Sequence, residues 1–322
     1  MPTLKDLAKK ASVSVTTASY AVNGSSLITK ETREKVLKAA KEIGYRPNGM
    51  AKNLKKQKTE TIGLFLSGFT GPFFTSMMEG IHEVVMSRGY EMVVCASVDR
   101  HRLLIEKNVD GAIILNYHMD DELLTELASE KLPMVVLDRE LDHQHICNIT
   151  LPNQAGTKAV VDYLNSKNHT HLGFMAGSEE SYDGEMRLKG FLDRARELDI
   201  PFNRDHLIRA DFTEKSGYDA MHTYLNKNEI YPTAFLCAND EMAMGAINAI
   251  KDHGLKVPED IAVTGFDNLS ISKYFNPPLT TVHVPKKQWG IHAAETLFDM
   301  LGKKENIQTS DLGVELIPRD SV

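Results

Sequence analysis

The feature that most constrains this chain is a pattern that runs through it twice, short apolar segments alternating with amphipathic ones. From Thr61 the segments TIGLFLSG, YEMVVCAS, VDGAIILN and PMVVLDR follow one another, with amphipathic stretches beginning near Phe73, Asp99 and Asp120. After ICNITLP and a helix expected from about Asn153, the pattern restarts. HLGFMAG, HLIRADF, TAFLCAND and IAVTGFD now alternate with helices expected from about Asp183, Thr213 and Glu241. A strand that is apolar at every position is buried on both faces, as happens where helices cover a parallel sheet on each side. Two such runs in series predict two α/β lobes with a cleft between them. PPLTTVHVP and a helix from about Lys286 read as a late crossover back to the first lobe. The expected division is a body over 61–322, with the first lobe at about 61–160 and 286–322 and the second at about 161–285.

The residues before Thr61 follow different rules. Residues 1–58 hold 13 Lys and Arg against 4 Asp and Glu, a balance of +9, in a chain whose net charge is −7. A basic head on an acidic, self-repelling body points to an anionic partner for the head. Thr3 is a predicted N-cap with Asp6 at the capping-box position, opening a helix whose inner face is Leu4, Leu7, Ala8 and Ala11. The turn Ser12–Ser14 leads to a second helix capped by Ser14 and running to about Val22, ended by Asn23 and Gly24. Thr29 caps a third, with Val36, Ala39, Ala40 and Ile43 at helical spacing and Gly44 as its stop. Three short helices, the first two separated by a few residues, describe a helix-turn-helix domain over 1–46. In the second helix, Val15, Thr16 and Tyr20 point toward base edges in a major groove, while Ser14, Thr17, Ser19 and Asn23 carry short polar groups suited to phosphates. Residues 47–60, PNGMAKNLKKQKTE, form a basic connector too apolar at Met50, Ala51 and Leu54 for a mere linker.

Other function classes fall away on chemistry. No run approaches the roughly 18 apolar residues of a membrane helix, and the N-terminus has no apolar signal core, so the expected location is the cytoplasm with no membrane partner. Cys95, Cys147 and Cys237 lie singly in strand-like runs and suggest no disulfide framework. His143 and His145 stand in H-x-H spacing with no third ligand nearby, and GFTGPFF lacks the lysine of a phosphate loop. Neither a metal nor a cofactor is expected, and no nucleophile–base pair marks an enzyme. A sugar-transport protein would share the body but would carry a signal peptide and no basic head.

The segment TLKDLAKKASVSVTTASYAVNG…ITKETREKVLKAAKEIGYRPNGMAKNL resembles the headpiece of the lactose/galactose repressor (LacI–GalR) family. CANDEMAMGAINAI, IAVTGFDN and PPLTTV resemble that family's effector lobe in order and spacing. The resemblance covers essentially the whole chain. It implies a homodimeric repressor of palindromic operator DNA, with a periplasmic-binding-protein-like body and a small-molecule effector in the cleft; a sugar or sugar derivative is expected there, with a non-sugar metabolite as the alternative. Position by position, it makes Val15, Thr16 and Tyr20 base-reading residues. It makes Thr3, Ser14, Thr17, Ser19, Asn23, Thr29, Thr32 and Tyr45 phosphate contacts. Leu54 matches the hinge leucine that wedges into the minor groove at the operator centre, with Met50, Ala51 and Lys52 approaching the widened groove. The chain departs from relatives at Val15, which can read only apolar surface, and at Tyr20, where His or Arg is common.

Arg187, Asn239, Asp240 and Asp267 lie at or just after strand ends or early in helices, where ligands sit in open α/β sheets. The resemblance adds Phe73, Asp138 and Phe212 to the effector site. Asp240 reads equally as the N-cap of the helix that follows it. The segment after Ser97 is about ten residues shorter than the usual family segment, and Val284 stands where many relatives have Gln. Glu295 stands near where the catabolite-control branch carries an Arg for its phosphorylated carrier protein, which argues against such a corepressor. No heptad tail follows GVELIPRDSV, so the expected assembly is a dimer.

Overall fold

A computed structural model describes residues 2–47, 53, 56–69, 71–97, 100–304 and 312–322. The chain divides into two compact units, Met1–Thr59 and Glu60–Val322.

The first unit holds three helices, α1 (Leu4–Ala11), α2 (Val15–Val22) and α3 (Lys30–Ile43). Each begins at a hydroxyl that accepts from a main-chain N–H three residues on. Thr3 takes Asp6 N at 3.3 Å, Ser14 takes Thr17 N at 3.0 Å and Thr29 takes Thr32 N at 3.2 Å. The Asp6 carboxylate closes the box by accepting from Thr3 N at 2.8 Å. Gly44 ends α3 at φ +65°, a conformation that costs glycine little. The core is Leu7, Ala8, Ala11, Ala18, Ala21, Val36, Ala39 and Ala40. Six alanines in eight positions let the helices approach closely, so a small core is enough to fix their crossing.

The second unit is α/β. Its first sheet takes β1 (Thr61–Leu66), β2 (Glu91–Ala96), β3 (Gly111–Leu115), β4 (Met134–Val136) and β5 (Ile146–Asn148) in the order β2-β1-β3-β4-β5, with every pairing parallel. Between them run α4 (Phe73–Ser87), the single turn α5 (Arg102–Ile105) and α6 (Asp121–Leu127). The second sheet takes β6 (Leu172–Ala176), β7 (Leu207–Arg209), β8 (Ala234–Cys237) and β9 (Ala262–Thr264) in the order β7-β6-β8-β9, again all parallel. Its helices are α7 (Asn153–Ser166), α8 (Tyr182–Glu197), α9 (Glu214–Lys227) and α10 (Asp240–Asp252). The return is made by β10 (Thr281–His283) and α11 (Lys286–Leu301), with β11 (Glu315–Ile317) antiparallel to β10.

Two lobe boundaries differ from the expected ones. Residues 153–160 belong to α7, which packs on α8 of the second lobe. A Cβ at Gly190 would lie 2.3 Å from Thr157 Oγ1, and Asn153 bonds to both Asp183 and Arg187. The C-terminal residues also turn back to the second lobe. Val263 N donates to Ser321 O at 2.9 Å, and Arg319 Nη2 to Asn268 Oδ1 at 2.6 Å. Only α11 stays with the first lobe, seated against α4. A Cβ at Gly80 would stand 2.2 Å from Lys287 O and one at Gly290 would stand 2.2 Å from Met77 O, so each helix needs the other's glycine.

Candidate DNA-reading face and effector cleft

On α2, Ala18 and Ala21 face the core, which turns Val15 (43% exposed), Thr16 and Tyr20 (39% exposed) outward. Large apolar side chains left exposed on so small a domain have no packing role there. The polar candidates have a local role as well. Thr3, Ser14 and Thr29 are the three N-caps, and Thr17 and Thr32 pair with two of them, hydroxyl to hydroxyl, at 2.8 and 2.9 Å. The N-termini of α2 and α3 therefore present hydroxyls and N–H groups together, the arrangement that accommodates a phosphate, whereas at α1 the Thr3 hydroxyl and N–H both donate to the Asp6 carboxylate. Asn23 Nδ2 donates to Ser19 O at 2.8 Å and clamps the end of α2. Tyr45 packs against the core, half-buried. Met50, Ala51, Lys52 and Leu54 lie outside the described residues.

Between the lobes of the body lies a cavity of ≈ 220 Å³. Phe73, Phe74, Tyr117 and Asp138 line it from the first lobe, and Asp183, Arg187, Asp211, Phe212, Asn239, Glu241 and Asp267 from the second. Most of these residues stand beyond the carboxyl ends of parallel strands or open the helices that follow. Six of the seven expected ligand residues thus meet in one place.

Arg187 is held rigidly. Its Nε donates to Asn153 Oδ1 at 2.9 Å, its Nη1 to Ala238 O at 2.6 Å, and its guanidinium lies 4.0 Å over the Phe266 ring. Nη2 approaches Asp267 Oδ1 at 3.7 Å, too far for a hydrogen bond. Asp267 sits at φ +114°, its main chain pinned by Val282 O and by the Lys286 ammonium. Phe212, at φ +68°, lays its ring on Gly177, where a Cβ would fall 2.0 Å from Phe212 Cζ. Asn239 fixes that loop by donating to Phe212 O at 2.8 Å while it caps α10.

Asp240 is not in the cavity, and it is not the cap. It is fully buried, accepting from Leu269 N at 2.7 Å, from Ser272 Oγ at 2.6 Å and from the Thr281 hydroxyl. A carboxylate so fully occupied has nothing to offer a ligand. It ties α10 to the β9–β10 connection, and burial pushes its pKa up to about 6.

Asp138 and Asp267 are the reverse case. They are 4% and 3% exposed, and Asp138 Oδ2 and Asp267 Oδ1 have no hydrogen-bond partner among the described residues. Burial raises the pKa of each to about 7, against the attraction of Arg139 for Asp138 and of Arg187 and Lys286 for Asp267. Buried polar atoms are almost always bonded, so a bare oxygen on each of two residues that line one cavity from opposite lobes indicates a missing donor.

The reading from sequence missed Asp183, Tyr117, Asp211 and Glu241. Asp183 had a usable signal, since it stands one helical turn before Arg187 and so shares its face. Among the described residues, no three His, Cys, Asp or Glu side chains form a group able to hold a metal. No helix among them is long and apolar enough to cross a membrane.

The family description "Bacterial regulatory proteins, lacI family" matches residues 3–48, and "Periplasmic binding protein-like domain" matches residues 161–322. Similar proteins include the HTH-type transcriptional repressor PurR of Photorhabdus laumondii, 36% identical over 100% of this chain and 97% of the relative. The repressor of the same name in Aliivibrio salmonicida is 34% identical over 100% and 99%. Among solved structures, a lac repressor dimer bound to operator and the anti-inducer ONPF superposes with a TM-score of 0.84 at 29% identity, covering 99% of this chain and 98% of that one. A complex of the transcriptional regulator CelR with cellobiose gives 0.74 at 28%, covering 100% of both chains.

Proposed function

The chain belongs to the LacI family of bacterial regulatory proteins, and on that premise we propose how it works. It is a DNA-binding transcriptional repressor. It acts as a cytoplasmic homodimer on a palindromic operator, with α2 of each head reading one half-site through Val15, Thr16 and Tyr20. A small hydroxylated molecule of the sugar class, held between the body lobes, sets its affinity for the operator.

The observation that carries the regulatory part is the pair of unpartnered oxygens on Asp138 and Asp267. A ligand with donors at both ends satisfies both only when the lobes are together, so it binds one arrangement of the body better than another. That difference in affinity is what couples a ligand to a conformational equilibrium. The cavity is smaller than the roughly 300–1,000 Å³ of sites for drug-sized ligands, which favours a single ring. Phe73 and Phe212 offer it apolar faces, and Arg187 and Asn239 offer polar edges.

The test is selection of operator sequences from random DNA by the full chain, followed by fluorescence anisotropy on the selected site. A palindromic consensus is expected, with affinity falling steeply as salt rises because several phosphates are neutralised. Equal affinity for random DNA, or a flat salt response, overturns the proposal.

A further inference from the structure

The cleft holds more acid than its cations can serve. Asp138, Asp183 and Asp267 all line it, and they act as one cluster. Asp183 is close enough that its charge raises the pKa of both Asp138 and Asp267, adding to the larger effect of burial. Every cation at the cluster is already engaged. Arg187 is shared between Asn153, the Ala238 carbonyl and Asp267. Arg139 stands 3.3 Å from Asp138 Oδ1, but it also binds Asp121 at 2.6 Å and the carbonyls of Asn116 and Met119. The Lys286 ammonium donates a hydrogen bond to the main-chain oxygen of Asp267. Arg209, beyond the cavity rim, is taken up by Glu179 and Glu185. Asp211 and Glu241 add two further carboxylates to the lining.

Resting on the reading of the cleft as the effector site, we propose that the effector carries a protonated amino group on a hydroxylated ring, an amino sugar in its chemical class. Its ammonium sits between Asp138 and Asp183, and a ring hydroxyl reaches Asp267. An ammonium brings three donors and one positive charge to a place that lacks both. A neutral hydroxyl brings one donor and leaves the charge excess in place. A phosphate or a sugar acid would add negative charge to a cluster that already exceeds its cations.

Isothermal titration calorimetry of the full chain at neutral pH tests this. Glucosamine, galactosamine and mannosamine are each compared with the parent hexose, the N-acetyl derivative and the hexose 6-phosphate. At least one amino sugar should bind with a Kd about tenfold or more below that of its parent hexose, since hydrogen bonds to charged groups are worth that much. Asp183→Asn and Asp138→Asn should each shrink that ratio toward one. If a parent hexose or a hexose phosphate binds as tightly as the amine, the charge inference falls and the cleft reading stands. The same follows if the amine keeps its full advantage in both variants. If no compound gives heat of binding and none alters operator affinity, both readings fall.

Discussion

Asp138→Asn should make the unliganded protein more stable in mild alkali than the native chain, although it alters a buried polar residue. The Asp138 carboxyl moves from its ordinary pKa of 3.8 to about 7 on folding, because burial disfavours its charge. The folded protein therefore holds this proton more tightly than the unfolded one, and the carboxyl's contribution to stability falls as pH rises between those two values. At about 1.4 kcal/mol per pH unit, the carboxyl costs the folded state about 4 kcal/mol above neutrality, where it is ionised, and about 1 kcal/mol near pH 4.5, where the folded chain holds its proton and the unfolded chain has begun to lose it. Asparagine has nearly the same shape and no charge. Its amide replaces the bare Oδ2 with an unpartnered N–H, which costs about 1–3 kcal/mol at every pH. Between about pH 4.5 and pH 8 the difference in stability should thus move by about 3 kcal/mol in the variant's favour. Urea titrations at the two pH values measure it, followed by the fluorescence of Trp289, the single tryptophan, which is fully buried in the body. Protein concentration must be held constant, because dimerisation also contributes to stability. A difference that is the same at both pH values would show that Asp138 is not a desolvated carboxyl, and the argument from its bare oxygen would fail with it.

Tyr20→Ala should relax base preference at one or two half-site positions, each mismatch there being worth about 1–3 kcal/mol. Ser14→Ala should weaken binding evenly across sequences and also lower the melting temperature of the head, since the lost cap on Thr17 N is worth about 1 kcal/mol; a selection experiment and a thermal melt on each variant separate the two. Leu54→Ala should reduce DNA bending and the preference for an easily kinked central step, with no change in the melting temperature of the free protein; unchanged bending in a circular-permutation gel would refute the wedge. Gly71→Ala should lower effector affinity severalfold by calorimetry, because a Cβ there would lie 2.3 Å from Glu241 Oε1 across the cleft, at a backbone φ of +85°; unaltered affinity would show that the lobes do not need this close approach.

What could be read from the sequence depended on how far each signal reaches along the chain. Helix starts were legible because a capping hydroxyl and its N–H partner are three residues apart, and Thr3, Ser14 and Thr29 all cap as expected. The continuous apolar runs became the parallel strands, buried at every position in β3, β4, β6, β8 and β9, while β2 and β7 at the sheet edges are half-buried. Asp240 was misread because its partners, Leu269, Ser272 and Thr281, come from a loop and a strand 29 to 41 residues away. Strand-end position alone cannot distinguish a carboxylate facing a ligand from one holding a loop. The lobe boundaries slipped for a related reason. Helix α7 follows a strand of the first lobe in sequence, but it packs by its Thr157 face on Gly190 of the second, a choice made by steric fit between distant segments. The acid cluster was invisible for the same cause, since Asp138 and Asp183 come from different lobes.

Among the described residues, the polar contacts that cross the mouth of the cleft are partly solvated. Tyr182 OH donates to Glu140 Oε1 at 3.4 Å, His118 Nδ1 stands 3.5 Å from Glu180 Oε2, and Gly71 rests against Glu241. Exposed polar pairs of this kind contribute about 0–1 kcal/mol each. Against them stand the buried carboxyls of Asp138 and Asp267 on facing walls, each of which costs the closed body free energy for as long as it is ionised and bare. A ligand that donates to both removes that cost and adds bonds worth about 1.5–3 kcal/mol apiece. The ligand's contribution thus exceeds that of these polar contacts across the mouth, and because it is made only with the walls together it biases the lobe equilibrium. The same carboxyls that weaken the empty cleft make closure depend on the molecule that fills it.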